Sequence, residues 1–224
     1  MSRIRELAAG GRAVEVAPER LARFLERFAA GHGGVVSTTV CSWQADLVAD
    51  DGWTASIPVP FSALESQPGT HAGLVMDDLI AHLMLPRTVG LLLVRLGGYS
   101  VGIARAGVVL TSSTGSRLVH GRSAAGGRSQ QRFARRREGQ ARLALRAAAD
   151  TAARVLLPRT AELDAVVLGG DAAALRSLAA DPRLTALLEQ AESRVLDIPE
   201  PRRAVLDDVA QRARCVEVQL HPPG

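Results

Sequence analysis

Residues Arg12–Val16 alternate between polar and apolar as a short strand does. Pro18 then opens a helix over Glu19–Ala30, whose Leu21, Phe24, Leu25 and Phe28 form one apolar stripe. Gly31-His32-Gly33-Gly34 ends it. Val35–Ala49 has the character of a strand or strands, and Asp50-Asp51-Gly52 is a hairpin turn into Trp53–Val59, with Pro58 and Pro60 closing the unit. Ser66–Gly73 reads as a loop and Met76–Met84 as a short helix. Beyond Pro86 the pattern changes. Thr88–Arg95 is an apolar run of strand length; Gly97-Gly98 and Ala106-Gly107 are turn signals, so Tyr99–Arg105 and Val108–Ser113 complete an antiparallel meander. A small, polar, glycine-rich stretch follows and predicts a mobile loop at 121–131. Gln131–Leu157 lacks proline and predicts a long helix, with Phe133, Ala141, Ala144, Leu145, Ala148, Ala152 and Val155 inside and Gly139 as its weak point. The remainder alternates. A strand at Leu163–Leu168 leads through Gly169-Gly170-Asp171 into a helix ending at Ala180, then a short helix at Arg183–Gln190. A strand at Arg194–Ile198, a helix at Arg202–Arg212 and a strand at Cys215–Leu220 follow. Such an order predicts parallel pairing with right-handed crossovers.

Together these elements predict an α/β protein. An α+β region spans 1–86, and a mixed β-sheet flanked by helices spans 87–224. A hydrophobic share of 47% supplies a core, but aromatics are only 3%, so Leu, Val, Ile and Ala must fill it. The same scarcity argues against a protein that stacks many bases on aromatic rings. No apolar run approaches the ~20 residues of a membrane-spanning helix, so no membrane partner is expected. The first residues lack the apolar stretch of a signal peptide. With two distant cysteines and no metal-ligand spacing, a disulfide scaffold and a zinc ribbon are excluded, and a cytoplasmic location is expected.

Charge sharpens the picture. All 27 basic residues are arginines, the side chain best suited to phosphate. Ten lie between Arg117 and Arg154 against two acids, Glu138 and Asp150, a formal +8; the other 17 arginines and 21 acids leave the rest of the chain at −4. One cationic segment on a near-neutral body is the footprint of a polyanion, nucleic acid ahead of an acidic membrane surface. A solvated arginine-rich helix face is the plainer reading.

Within that segment Gly126-Gly127 can take positive φ and bring the backbone close to a ligand. Ser129 is placed to cap the arginine helix, which puts Gln130 in its first turn. There, unpaired N–H groups and the helix dipole favour a phosphate or a developing oxyanion. Arg132, Arg135 and Arg136 follow at spacings that let several reach one backbone. A glycine-rich connector ahead of an exposed helix would carry the same spacing.

The run Gly126-Gly127-Arg128-Ser129-Gln130, the arginine-rich helix and the strand Leu163–Leu168 with Gly169-Gly170 resemble the catalytic middle domain of eukaryotic and archaeal class 1 peptide-release factors. More specifically, they resemble the actinobacterial Vms-like release factor group of peptidyl-tRNA hydrolases. The likeness covers about residues 88–220. Class 1 factors carry an uninterrupted Gly-Gly-Gln; here Arg128 and Ser129 stand between Gly127 and Gln130, in the Gly-x-x-Gln form of the Vms-like group. The resemblance implies a ribosome-associated peptidyl-tRNA hydrolase that frees nascent peptide from stalled large subunits. Its partners would be the large ribosomal subunit, rRNA and peptidyl-tRNA, with no cofactor and no metal. It assigns Gln130, Gly126 and Gly127 to a catalytic tip: the Gln130 backbone N–H stabilises the leaving oxygen, its side chain shapes the space for water, and the glycines avoid collision with RNA. It makes Arg122, Arg128, Arg132, Arg135, Arg136, Arg137 and Arg142 RNA contacts. Two further readings stand beside it: cleavage of tRNA near its 3′ end, and a non-catalytic ribosome- or RNA-binding module. No oligomeric state follows from the sequence.

Other candidates have plainer roles. His120, beside the loop, is a candidate base, though a lone histidine at a turn is usually structural or solvated. Asp50-Asp51, Asp77-Asp78 and Asp207-Asp208 read as turns or caps, since helical neighbours diverge by about 100° and seldom share an ion. Gly169-Gly170-Asp171 lacks the third glycine of a dinucleotide site and reads as tight helix packing. Cys41 and Cys215 are expected to be buried thiols. Trp43 and Trp53 are expected to pack the N-terminal region, with RNA contact as the alternative.

Overall fold

A computed structural model describes residues 3–7, 10–95, 97–116 and 128–224, and in the helix that begins at 128 it describes side-chain surroundings at 139 and from 141 onward. The chain forms two compact units, one of Met1–Pro86 with Arg214–Gly224 and one of Arg87–Ala213.

The first unit is a seven-stranded antiparallel sheet. Its order is β1 (Ile4–Glu6), β2 (Arg12–Val16), β12 (Val216–His221), β5 (Thr54–Pro58), β4 (Gln44–Ala49), β3 (Val35–Cys41) and β6 (Gly69–Ala72). Ala45, Leu47 and Ala49 of β4 point inward. Helices α1 (Pro18–Gly31) and α2 (Asp77–Met84) add Leu21, Leu25, Phe28, Leu79 and Leu83 to the same core. One covered face explains the alternating strands.

Several expectations change here. Val35–Ala49 is a hairpin of two strands, with Ser42-Trp43 at the turn. Gly69–Ala72, inside the expected loop, is an edge strand held by backbone pairing to β3. The strand expected at Cys215–Leu220 does not join the second sheet; it runs antiparallel between β2 and β5. Its pattern accounts for this. Val216, Val218 and Leu220 are buried while Glu217 and Gln219 are not, which suits a sheet covered on one face. The second unit therefore ends at Ala213 rather than running to residue 224. Cys41 is exposed on the outward face of β3, its thiol donating to the Gln44 carbonyl at 3.2 Å, and Cys215 is half-buried, so neither is the buried thiol expected. Trp43 is 59% exposed at the hairpin tip, whereas Trp53 packs on the core beside His32.

The second unit is a five-stranded mixed sheet flanked by helices, in the order β11 (Ala191–Leu196), β10 (Ala165–Gly170), β7 (Thr88–Arg95), β8 (Gly98–Arg105) and β9 (Val108–Ser116). Strands β7, β10 and β11 run parallel, and β8 and β9 complete the antiparallel meander. Helices α3 (Arg128–Leu156), α4 (Ala172–Ala179) and α5 (Thr185–Leu188) share one core with the sheet. There Leu92, Val94, Val101 and Ile103 meet Ala148, Ala152 and Leu156 of α3. Helix α6 (Arg203–Arg212) packs over Gly102, where a Cβ would come within 2.8 Å of Leu206 Cδ2. The helix expected at Arg183–Gln190 is split. Asp181 caps a 3-10 turn at Pro182–Leu184 by accepting the Arg183 N–H, and only α5 continues as α-helix. The strand expected at Arg194–Ile198 begins earlier, at Ala191.

Candidate nucleic-acid interface

Helix α3 carries the candidate chemistry. Its 29 residues span about 44 Å at 1.5 Å per residue. The C-terminal half is fixed in the second unit, where Ala148, Ala152 and Leu156 are fully buried. Small residues there let the helix lie close on the sheet. The Thr151 hydroxyl donates to the Tyr99 hydroxyl at 3.2 Å, and the Arg154 guanidinium donates to Ser113 Oγ at 3.1 Å, tying α3 to β8 and β9. Gly115 makes room for this arrangement, since a Cβ there would overlap the Tyr99 ring. The expected inner stripe is present at Ala144, Ala148 and Ala152, with Ala149 and Thr151 also buried and Ala141, Leu145 and Val155 half-buried. Phe133 lies outside the described side chains.

The helix is already present at Arg128, the first residue described after 116, three residues before the expected Gln131. Nothing in Arg128-Ser129-Gln130 breaks a helix once the glycines end. Ser129 and Gln130 therefore both lie within the described helix. Arg132, Arg135, Arg136 and Arg137 are further along α3; their side chains and those of Arg128 and Gln130 lie outside the description. Gly126, Gly127, Arg122 and His120 lie outside the described residues altogether.

Arg142 is exposed, and so is Arg146 one turn later. The sequence criteria single out the first and pass over the second, although the same i, i+4 spacing carries both. They open onto a groove of about 490 Å³ between α3 and α4, with Ser177, Asp181 and Arg183 on the opposite wall. Arg183 is committed to two carboxylates, Asp150 at 2.9 Å and Asp181 at 2.6 Å. The Arg183 side chain, and then its backbone N–H, hold the Asp181 carboxyl down to about 2. The bond to Asp181, then that to Asp150, raises the Arg183 guanidinium above its ordinary value.

The other sequence candidates resolve into packing and pairing. Gly170 has φ +114°, and a Cβ there would overlap the Val94 carbonyl. Asp171 accepts the N–H groups of Ala173 at 2.8 Å and Ala174 at 3.4 Å. An internal carboxylate thus already fills the α4 N-terminus where a nucleotide phosphate would bind. Asp51 accepts the Trp53 N–H at 3.1 Å and pairs with His32 at 2.8 Å. Asp78 accepts from Ser66 at 2.7 Å, while Asp207 and Asp208 pair with Arg203 and Arg212. No group of three His, Cys, Asp or Glu among the described residues is arranged for a metal ion. No described helix is long and apolar enough to cross a membrane.

Residues 87–219 match the family model described as Actinobacteria/chloroflexi VLRF1 release factor. The chain belongs to this family. The match takes in the whole of the second unit, α3 included, and reaches into β12. A release-factor-family chain has a release-factor-type role and a ribosomal partner. Among solved structures, the crystal structure of the archaeal translation termination factor aRF1 is similar at 11% identity, covering 88% of this chain and 70% of that one, with a TM-score of 0.42. A structure described as an archaeal protein is similar at 10% identity, covering 87% and 69% of the two chains, with a TM-score of 0.38. No curated protein matches the sequence.

Proposed function

We propose that the protein hydrolyses peptidyl-tRNA on stalled large ribosomal subunits in the cytoplasm. The observation that carries this reading is the place of Gln130. It lies near the described start of a helix whose far half is buried in the family-matched unit, three residues after Gly127 in sequence. From Gln130 to Ala144, where described burial begins, is 14 residues, or about 21 Å of helix. A first-turn N–H has no intrahelical acceptor, and the dipole adds roughly half a positive charge at that end.

Set against the ester that joins the peptide to the 3′ ribose of tRNA, the Gln130 N–H donates to the oxygen on which charge develops. Water attacks the ester carbonyl carbon and a C–O bond forms. The bond to the 3′ oxygen then breaks. That oxygen takes the proton released by water, relayed through hydroxyls of the substrate and rRNA, and the peptide leaves as a carboxylic acid. Positioning and a fixed dipole supply the rate, and one donor of this kind is worth about 2.7–4 kcal/mol, or ~10²–10³ in rate.

Purified protein added to large subunits bearing peptidyl-tRNA is expected to yield free peptide and intact tRNA. Gln130→Pro removes the donor and lowers release by about 10²–10³; Gln130→Ala tests the side chain's hold on the water space. Wild-type release by both variants refutes the assignment. Nucleotides left on the freed peptide would mark cleavage within the tRNA instead.

A further inference from the structure

We propose that the outer edge of β9 is a pairing site for a second copy of this chain, the two five-stranded sheets joining antiparallel, edge to edge, into one. The inference goes beyond peptide release and does not depend on it. Four strands end the two sheets, and each has an outer side of backbone N–H and C=O groups. Three of the four are protected. Strand β1 has three residues, two of them charged; β6 has four residues; β11 carries Glu192 and Arg194. Short length and charge are what keep an edge from pairing with another chain. Strand β9 has neither. Its nine residues, Val108 to Ser116, include no charge and no proline. Its one irregularity is a register shift at Leu110, and from Thr111 to Ser116 it matches β8 residue for residue. Among the described residues β8 is its only strand partner.

The surroundings decide the occupant. Ser112 and Ser113 point to opposite faces of the sheet, and an arginine holds each. Ser112 Oγ accepts from Arg203 at 2.7 Å and Ser113 Oγ from Arg154 at 3.1 Å. Thr114 Oγ1 is bonded to Ser100 Oγ at 2.6 Å. A strand that captures a foreign peptide selects it through pockets for alternate side chains. The groove between α3 and α4 and the one beside Gly97 and Gly98 are not lined by β9. What β9 offers is main chain. Its match is a strand with an equally bare and uncharged edge, and among the described strands β9 itself meets that condition. Set antiparallel about a two-fold axis between Ser113 and Thr114, the regular stretch faces its own copy: Thr111 opposite Ser116, Ser112 opposite Gly115, Ser113 opposite Thr114. Hydroxyl stands against hydroxyl or glycine, and no charge on β9 meets a like charge. Such a contact is isologous and closes at two copies.

Sedimentation equilibrium of the full chain over ~1–100 μM, the range suited to a contact this small, is expected to show the mass rising from one chain towards two. Hydrogen–deuterium exchange at the two ends of that range locates the contact: β9 amides should slow with concentration while those of β1, β6 and β11 keep their rates. Thr111→Lys with Ser116→Lys sets two pairs of like charges directly opposite each other across the axis. Both positions are exposed, so the melting curve should hold while the dimer is lost. Mixing this variant with Thr111→Glu, Ser116→Glu should restore a dimer, which a general disturbance of the fold would not do. A wild-type chain that stays single up to ~100 μM overturns the proposal, as does a dimer that survives the lysines. Protection of β9 that is equal at every concentration would mean that the chain covers its own edge, and overturns it as well.

Discussion

Replacing Gly170 with alanine tests the geometry that holds α4, and through it the root of α3. Gly170 ends β10 at φ +114°, a conformation that L side chains rarely adopt. Such strain costs about 1–3 kcal/mol. The new Cβ would also overlap the Val94 carbonyl oxygen, whose carbon lies 2.8 Å away. Relief by moving the backbone is costly, because the same oxygen accepts the Asp171 N–H at 2.9 Å and Asp171 caps α4. Losing that hydrogen bond adds about 1 kcal/mol. A weakened cap adds up to about 1 kcal/mol more. The sum is about 2–5 kcal/mol, which for a unit of this size lowers the melting temperature by at least ~6 °C. Far-UV circular dichroism is the assay, since the 29-residue α3 makes the second unit the main source of helical signal. Gly139→Ala is the control. There the Cβ meets nothing and the backbone is helical, so stability should rise by up to about 1 kcal/mol. A Gly170→Ala protein melting within ~2 °C of wild type would refute the reasoning.

Two further outcomes follow from pairs described above. Arg183 depresses the Asp181 carboxyl from 3.8 to about 2, so this pair contributes stability above the unfolded value and loses it as pH falls from about 4 towards 2. Asp181→Asn should flatten that part of a plot of urea midpoint against pH, and an unaltered plot would count against the pairing. Tyr99→Phe removes the acceptor of the Thr151 hydroxyl, and Thr151 is only 6% exposed. The expected cost is about 1–3 kcal/mol, read as a lower urea midpoint.

The meander and α3 were legible in the sequence because their periods are long and uninterrupted. The apolar run at Thr88–Arg95, the glycine turns and the proline-free arginine stretch each point one way. The start of α3 was also nearly legible: the helix is described from Arg128, just before the expected Ser129 cap. Partnership was not legible. The residues of β12 announce a strand, yet its place beside Val14 and Ala55 depends on pairing across most of the chain. Edge strand β6 has no apolar pattern at all, being held by its backbone. Residue type misled at Cys41 and Trp43, where a hairpin tip overrode the usual preference for burial. Arg146 shares the spacing of Arg142 and was available to inspection. The neutralisation of Asp150 by Arg183, 33 residues away, was not.

The interior place of β12 has a consequence for synthesis. Val216 pairs with Val16 and Leu220 with Ala55, so the first sheet lacks a middle strand until the end of the described chain has left the exit tunnel. The second unit, continuous from Arg87 to Ala213, can complete its own sheet earlier. The unit that begins earlier in the chain is therefore completed after the one that follows it. Through most of translation, β2 and β5 present open edges that invite pairing with other nascent chains, and a truncation before Val216 would make that exposure permanent.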